Sequence, residues 1–253
     1  MVKKKQPKLP KKLLFIPSSD KDFIESWNDT KKRDELNFPA SWRMVICGKP
    51  GVGKTCFIKN VIIRAKPPFE RIFVFHQDKY AKEYDDIDAE VLDELPSNEF
   101  WMGYDNDEGT DPQADALGDQ CDEEEDEDME RPKTLCIIDD ICFSDLPKDQ
   151  TVKLDRLCGF ISTHCNVSLA VINQDIFAVN PIIRKCASIW VIYRPSCADE
   201  LNTIARRCGF SSKDFKNLFD NLAVNESDSI TVDKTPGSPY PLRLNGFRIL
   251  KKE

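Results

Sequence analysis

The chain has 253 residues, of which 40% are hydrophobic and 32% are charged, so it is long enough to bury one large core. No stretch approaches eighteen uninterrupted apolar residues and no apolar run follows the basic N-terminus, so we expect neither a membrane span nor a secretory signal. The net charge is −8, but fourteen acidic and no basic residues lie between positions 105 and 130, which leaves the remainder with a net charge of +6.

The first 40 residues are predicted to form a basic N-terminal arm that packs onto the core or trails from it. They are mostly polar and contain lysines at positions 3, 4, 5, 8, 11 and 12. The non-functional interpretation of this lysine cluster is a solvated tail. The functional interpretations are an electrostatic contact with nucleic acid and a nuclear localisation signal.

Positions 48–55 match the phosphate-binding pattern G-x-x-x-x-G-K-[ST]. An apolar run precedes the match at 42–47, and apolar residues at helical spacing follow at 56–64, so strand, loop and helix succeed one another as the motif requires. In such a loop, backbone N–H groups and the helix N-terminus bind nucleotide phosphates. We assign nucleotide binding to Gly48, Lys49, Pro50, Gly51, Val52, Gly53, Lys54, Thr55 and Cys56. Lys54 is expected to reach the β- and γ-phosphates, and the Thr55 hydroxyl to bind Mg²⁺.

The core, residues 41–225, is predicted to alternate short apolar strands with helices. Strands are expected at 42–47, 71–76, 134–139, 168–173 and 188–193, and helices at 56–64, 151–164, 197–207 and 211–222. This pattern indicates an α/β fold in which a mostly parallel sheet is covered by helices on both faces. A disordered acidic insert is predicted at 105–130, and residues 226–253 alternate as a C-terminal β-hairpin extension would, around Pro236-Gly237.

Two acidic residues, Asp139 and Asp140, follow the apolar residues of the strand at 134–139. Asp139 is placed to hold Mg²⁺ together with Thr55, directly or through water. Asp140 is then available to orient and deprotonate an attacking water, which favours hydrolysis over transfer to a bound acceptor. Two acids after a strand also occur at ordinary turns, but the phosphate loop 85 residues upstream favours the catalytic interpretation.

Gln174 follows the next apolar strand, at the end of a parallel strand where ligands bind. Its amide could hydrogen-bond the γ-phosphate and the attacking water and so sense the nucleotide state; the alternative is a polar residue that starts a loop. Related enzymes often take a further arginine from a neighbouring subunit. The candidates are Arg184 first, then Arg194, Arg206 and Arg207. His164, just before the strand that Gln174 follows, is a separate candidate for catalysis, although a lone histidine is more often structural.

The order of these segments resembles the FtsK–HerA superfamily, and within it the poxvirus-type genome-packaging ATPases of large DNA viruses, virophages, adintoviruses and Polinton (Maverick) elements. The similar segments are 48–55, 135–140, 162–168 and 173–177, with further likeness at 77–80, 95–96, 183–186 and 193–205, so the resemblance covers about residues 40–225. Two features depart from the pattern. Thr163 stands where some members have an arginine before the histidine, and the acidic insert has no counterpart.

This resemblance implies an ATP-driven motor that assembles as a hexameric or pentameric ring and moves double-stranded DNA into a preformed capsid. The implied cofactors are ATP and Mg²⁺, and the family's nucleotide and sensor roles fall on Lys54, Thr55, Asp139, Asp140 and Gln174. The implied partners are double-stranded DNA, further copies of the chain and viral capsid proteins, without a membrane. The implied location is the host cytoplasm or nucleus at sites of virion assembly, or the virion itself.

Other functions use the same phosphate loop. One is a replication helicase or helicase loader, which would differ by unwinding strands without a capsid. Another is a small-molecule kinase or a nucleotide switch, although the guanine-selecting Asn-Lys-x-Asp motif is absent and its nearest match is Asn173-Gln174-Asp175. The acidic insert is either a solvated spacer or a mimic of DNA that holds the channel closed.

Overall fold

The structure is a computed structural model that describes residues 36–39, 41–78, 82–102 and 131–250. The predictions of a basic arm and of a disordered acidic insert concern residues 1–40 and 105–130, which lie almost entirely outside the described ranges. Within those ranges, no helix is both long enough and apolar enough to cross a membrane.

Nine strands of the described residues form one sheet. They are β1 (Arg43–Cys47), β2 (Arg71–His76), β3 (Glu90–Leu92), β4 (Thr134–Asp139), β5 (Val167–Asn173), β6 (Ile189–Tyr193), β7 (Ser229–Asp233), β8 (Leu242–Leu244) and β9 (Arg248–Ile249). Their order across the sheet is β3-β2-β4-β5-β1-β6-β7-β8-β9. The six strands from β3 to β6 are parallel and the last three are antiparallel. The prediction of a mostly parallel sheet is confirmed.

The helices lie between the strands as predicted, with two short additions, α2 and α4. They are α1 (Lys54–Arg64), α2 (Asn98–Met102), α3 (Lys148–Arg156), α4 (Pro181–Cys186), α5 (Ala198–Cys208) and α6 (Ser212–Asn221). After α3 the chain continues through a wider helical segment, Leu157–Ile161, and a last turn, Ser162–His164. The helix predicted at 151–164 therefore begins three residues earlier than expected and is not regular throughout.

The central strands β1, β4, β5 and β6 are buried on both faces because alternate residues of each strand pack against different helices. In β1, Val45 and Cys47 belong to a core cluster with residues of α3, α5 and α6, while Met44 and Ile46 belong to a second cluster with residues of α1. Both faces are apolar along the same strand, which explains why its sequence reads as a continuous apolar run. The predicted covering of both faces by helices is confirmed.

The C-terminal strands continue the sheet beyond β6. Tyr193 of β6 pairs with Ser229 of β7, and β8 and β9 follow as further antiparallel strands. The tight hairpin turn lies at Asn245-Gly246, where both residues have positive φ, 52° and 77°. Positive φ at both positions is the geometry that Asn-Gly favours in tight turns, and the pairing of Leu244 with Arg248 makes this a three-residue connection. The predicted hairpin around Pro236-Gly237 is confirmed: β7 and β8 pair as antiparallel strands, and these two residues lie in the connection between them. The turn at Asn245-Gly246 forms a second hairpin, which was not predicted.

The parallel strands place their last residues on one side of the sheet, here called the carboxyl end of the sheet. In register, Asp139 of β4 lies beside Ile172 of β5, and Cys47 of β1 lies between Asn173 of β5 and Ile192 of β6. The strand β5 thus separates β1 from β4. Because of this order, the residue that follows β5 stands between the loop that follows β1 and the acids at the end of β4.

Candidate nucleotide-binding site

The loop from Gly48 to Thr55 joins β1 to the first turn of α1 at the carboxyl end of the sheet. Gly51 and Gly53 have φ values of 76° and 102°, which residues with a side chain rarely adopt. The Lys54 ammonium donates hydrogen bonds to the carbonyl oxygens of Gly48 at 2.8 Å and Lys49 at 2.9 Å. The loop therefore curls around its own lysine, which places a positive charge inside the ring of backbone amides.

Tyr193, the last residue of β6, contacts this loop and holds it in position. A Cβ atom on Gly48 would lie 2.5 Å from the Tyr193 Cβ, so only glycine fits at this position. The Tyr193 hydroxyl donates a hydrogen bond to the Gly53 carbonyl at 3.0 Å. Tyr193 was not among the predicted site residues, although it ends a predicted strand and begins the segment at 193–205 that resembles the family.

Asp139 is held by a buried tyrosine. The Tyr84 hydroxyl donates a hydrogen bond to Asp139 Oδ2 at 2.6 Å, and both residues are almost inaccessible, 2% and 6% exposed. Burial raises the pKa of the Asp139 carboxyl, while the Tyr84 hydrogen bond opposes that rise. The pKa of Tyr84 is raised as well, by burial first and by the Asp139 charge second. Tyr84 was not predicted, because it lies in a short helical turn four residues beyond the similar segment at 77–80 and belongs to no motif.

The residues assigned to Mg²⁺ lie close to one another around this phenol. Tyr84 bonds Asp139 directly, and the Thr55 side chain lies beside the same phenol oxygen. Burial lowers the pKa of the Lys54 ammonium, and the nearby Asp139 carboxylate opposes this shift. A hydroxyl and a carboxylate are the oxygen ligands that Mg²⁺ takes in nucleotide sites, so the residues present fit this ion.

Asp140 and Gln174 are in direct contact. The Gln174 amide nitrogen donates a hydrogen bond to Asp140 Oδ1 at 3.1 Å. Asp140 has a φ of 52°, and its backbone N–H donates to the Ile172 carbonyl at 3.2 Å. Left-handed backbone at a residue other than glycine is costly and is concentrated at functional sites. The structure thus brings the predicted water activator and the predicted sensor together beside Asp139.

Asn173 braces the two loops that carry these side chains. Its amide nitrogen donates to the Ile141 carbonyl at 3.4 Å, and its Oδ1 accepts from the Asp175 backbone N–H at 3.0 Å. The loop after β4 is therefore tied to the loop after β5. Asn173 thereby supports the positions of Asp140 and Gln174.

A buried carboxylate lies under the start of the phosphate loop. Glu200 of α5 accepts hydrogen bonds from the backbone N–H and the hydroxyl of Ser196 at 2.7 and 2.9 Å. The Cys47 thiol, one residue before the loop, lies 3.7 Å from Glu200 Oε1. Burial, and after it the Glu200 charge, raises the pKa of Cys47. This thiol is therefore protonated at neutral pH and links β1 to α5.

The candidate arginines and His164 are not part of this cluster. Arg184 lies in α4, which ends three residues before the start of β6. The start of β6 is at the end of the sheet opposite the phosphate loop. His164 lies three residues before the start of β5, and its ring packs on Phe160 with centroids 4.6 Å apart. Arg194 forms an ion pair with Asp220 at 3.1 Å.

The other two candidate arginines lie near the C-terminus of α5. Arg206 donates to the Asn202 carbonyl within that helix, and the Arg207 carbonyl accepts a hydrogen bond from Lys234. Neither contact joins an arginine to the phosphate loop of the same chain.

Comparison with solved structures gives the same fold. The genome-packaging NTPase B204 from Sulfolobus turreted icosahedral virus 2, in complex with AMPPCP, superposes with a TM-score of 0.51 at 15% identity over 82% of this chain and 98% of B204. The B204 DNA-packaging ATPase from Sulfolobus turreted icosahedral virus gives a TM-score of 0.53 at 14% identity over 84% of this chain and 99% of its own. At these identities, the likeness shows a shared fold.

Two comparisons of the sequence with known proteins give different results. A search of curated proteins finds no match. The family model described as Poxvirus A32 protein matches residues 30–231, which is most of the chain. The resemblance to the poxvirus-type packaging ATPases is thereby confirmed, and the chain belongs to the poxvirus A32 protein family.

Proposed function

We propose that this chain is the ATPase that drives the packaging of viral DNA. The observation that carries the proposal is the Asp140–Gln174 contact at the end of β4 and β5, next to Asp139 and the phosphate loop. Membership of the A32 family and the shared fold with the B204 packaging NTPase support the same function. B204 binds an ATP analogue, and we infer that ATP is the nucleotide of this chain.

Each side chain has a role in hydrolysis that its position supports. The Lys54 ammonium binds the β- and γ-phosphates, and Thr55 and Asp139 hold Mg²⁺, which neutralises phosphate charge when bound. Asp140 orients the attacking water and accepts its proton. Gln174 fixes the Asp140 carboxylate through the 3.1 Å hydrogen bond and contacts the γ-phosphate, so it can report whether that phosphate is present.

The finer features of the motor belong to the same proposal. Copies of the chain form a hexameric or pentameric ring, and Arg184 of one subunit completes the site of the next. The substrate is double-stranded DNA, and the ring acts with capsid proteins at sites of virion assembly. Residues 1–40 form the arm, 41–225 the ATPase core and 226–253 the C-terminal extension. The placement of Arg184 away from the phosphate loop of its own chain supports action across a subunit interface.

The first test is steady-state ATP hydrolysis with and without double-stranded DNA. Wild type is expected to be stimulated by the duplex, and Lys54→Ala is expected to lose hydrolysis altogether. Lys213→Ala removes an exposed lysine from α6 and serves as the matched control. Hydrolysis by Lys54→Ala at the wild-type rate would refute the assigned site, and strand unwinding by the wild type without capsid proteins would favour the helicase function.

The role of Arg184 is tested by mixing two inactive variants. Lys54→Ala retains Arg184, and Arg184→Ala retains an intact phosphate loop. If the arginine acts across the interface, mixed rings regain hydrolysis because some sites combine one intact half from each variant. Arg206→Ala, the matched control, is expected to hydrolyse ATP alone. A mixture as inactive as its components would place the role of Arg184 within its own subunit or in the fold.

A further inference from the structure

The carboxyl end of the sheet extends from the phosphate loop onto the antiparallel strands. Tyr193, which contacts Gly48, pairs with Ser229 at the start of β7, and Ile230 pairs with Leu244 at the end of β8. The loop at 222–228 and the turn at 245–247 therefore lie at the same end of the sheet as the phosphate loop. β8 is three strands from β1, about 14 Å at the usual strand spacing, which is within the length of an extended nucleoside triphosphate.

A cavity of about 420 Å³ lies between the 222–228 loop and the 245–247 turn. Its apolar walls are Leu222, Val224 and Phe247, which are 40%, 64% and 37% exposed. Asp228 lines the same cavity. Apolar side chains grouped around a concave site, with a few polar groups among them, are typical of small-molecule pockets.

The walls of this cavity are fixed by contacts among the lining residues and with α1. The Phe247 ring stacks on Phe57, in the first turn of α1, with centroids 6.2 Å apart and planes 22° apart. The side-chain amides of Asn225 and Asn245 each donate to Asp228 at 2.9 Å, and the Asn225 backbone N–H donates to it as well. The cavity is therefore tied both to the phosphate-loop helix and to the hairpin.

The position of the catalytic groups decides on which side of the loop the base must lie. On the β5 and β4 side, Gln174, Asp140 and Asp139 occupy the space around the γ-phosphate. The sugar and base must leave the loop in the other direction, along β6 toward β7 and β8. Given the proposed ATPase function, we propose that this cavity is the base-binding subsite of the enzyme and that it takes the adenine of ATP.

Asp228 fixes the polar edge of this cavity. Its carboxylate accepts hydrogen bonds from the side chains of Asn225 and Asn245 and from the Asn225 backbone N–H, and the Val224 backbone bonds it as well. These contacts use the roughly four acceptor positions of the carboxylate, so the base is held by the apolar walls.

The test compares the binding of a non-hydrolysable ATP analogue with that of inorganic triphosphate by titration calorimetry. Val224→Asp puts a charge into the cavity at an exposed position, and Val224→Trp fills it. Both variants are expected to bind the analogue about tenfold more weakly and to bind triphosphate as wild type does. Val152→Asp, the same change at a 54% exposed valine of α3, is expected to change neither affinity.

The outcomes separate this inference from the proposed function. If Lys54→Ala abolishes analogue binding while both Val224 variants bind it like wild type, the subsite is wrong and the ATPase site stands. If wild type binds neither compound, the ATPase function fails first. Photolabelling of wild type with 8-azido-ATP gives an independent readout. Labelled peptides are expected at 222–228 or 245–248, and labelling confined to other segments would overturn the subsite.

Discussion

Replacing Tyr84 with phenylalanine isolates the support that this tyrosine gives to Asp139. The substitution removes only the hydroxyl that donates to Asp139 Oδ2 at 2.6 Å and leaves the ring in the buried space it fills. The Asp139 carboxylate then remains buried with one donor fewer. Because the hydrogen bond from Tyr84 opposes the rise that burial causes, the pKa of Asp139 moves further upward in this variant.

The size of the effect follows from the charge of the acceptor. A hydrogen bond to a charged group contributes about 1.5–3 kcal/mol to the free energy of unfolding. For a domain of this size, that loss lowers Tm by about 3–12 °C. Removing a group that orients a metal ligand typically costs about 10–100-fold in metal affinity or activity. Tyr84→Phe should therefore require about 10–100-fold more Mg²⁺ for half-maximal ATP hydrolysis.

The matched control is Tyr193→Phe. Its hydroxyl is also at a buried residue, but it donates to the neutral Gly53 carbonyl at 3.0 Å. Loss of a neutral hydrogen bond costs about 0.5–1.5 kcal/mol and leaves the Mg²⁺ requirement unchanged. The assay is ATP hydrolysis across a Mg²⁺ titration, with Tm measured by calorimetry. Equal Mg²⁺ requirements for the two variants would refute the reasoning that Tyr84 acts through Asp139.

Three further substitutions test the roles of buried residues in the site and in the C-terminal strands. Asp139→Asn should abolish hydrolysis yet raise Tm at pH 7. Because the pKa of Asp139 is raised in the folded protein, ionisation of this carboxyl lowers the stability of the wild type as pH rises through that pKa. Calorimetry should therefore show the difference in Tm between the two proteins vanish below about pH 4. Gly48→Ala should lower the free energy of unfolding by about 1–3 kcal/mol, because its Cβ meets Tyr193 at 2.5 Å; an unchanged urea midpoint would contradict this. Arg243→Met removes one partner of the buried ion pair with Asp233 and should cost about 3–5 kcal/mol by the same measurement.

Five of the six parallel strands could be predicted because most of their residues are buried, whereas β3, a partly exposed edge strand of three residues, was not predicted. In β4, all six residues from Thr134 to Asp139 are buried, so the apolar run and the strand coincide. The predicted starts of β5 and β6 are within one residue of those observed. The phosphate loop could also be predicted, because its chemistry lies within eight consecutive residues. These features share one property: the residues that cause them are neighbours in sequence.

The missed features depend on contacts between distant residues or on a signal that was overlooked. Tyr84 and Asp139 are 55 positions apart, and only the packed fold brings the phenol to the carboxylate. Nothing near Tyr84 marks it as different from any other buried tyrosine. The turn between β8 and β9 is a different case, because Asn245-Gly246 is a strong local signal for a hairpin turn, but the sequence analysis predicted only the hairpin around Pro236-Gly237.

The order of the strands decides which of the distant groups meet. Lys54, Asp139 and Gln174 each follow a strand, and any parallel sheet would place all three at its carboxyl end. Their order along that end is set by packing and is not visible in the sequence. With β5 between β1 and β4, the amide of Gln174 stands between the lysine and the acids and can reach Asp140. If β4 were next to β1, Gln174 would lie outside the pair and could not respond to the γ-phosphate. The proposed sensor role therefore depends on the position of one strand, and we infer that this strand order, rather than the phosphate loop alone, would allow hydrolysis to be coupled to movement.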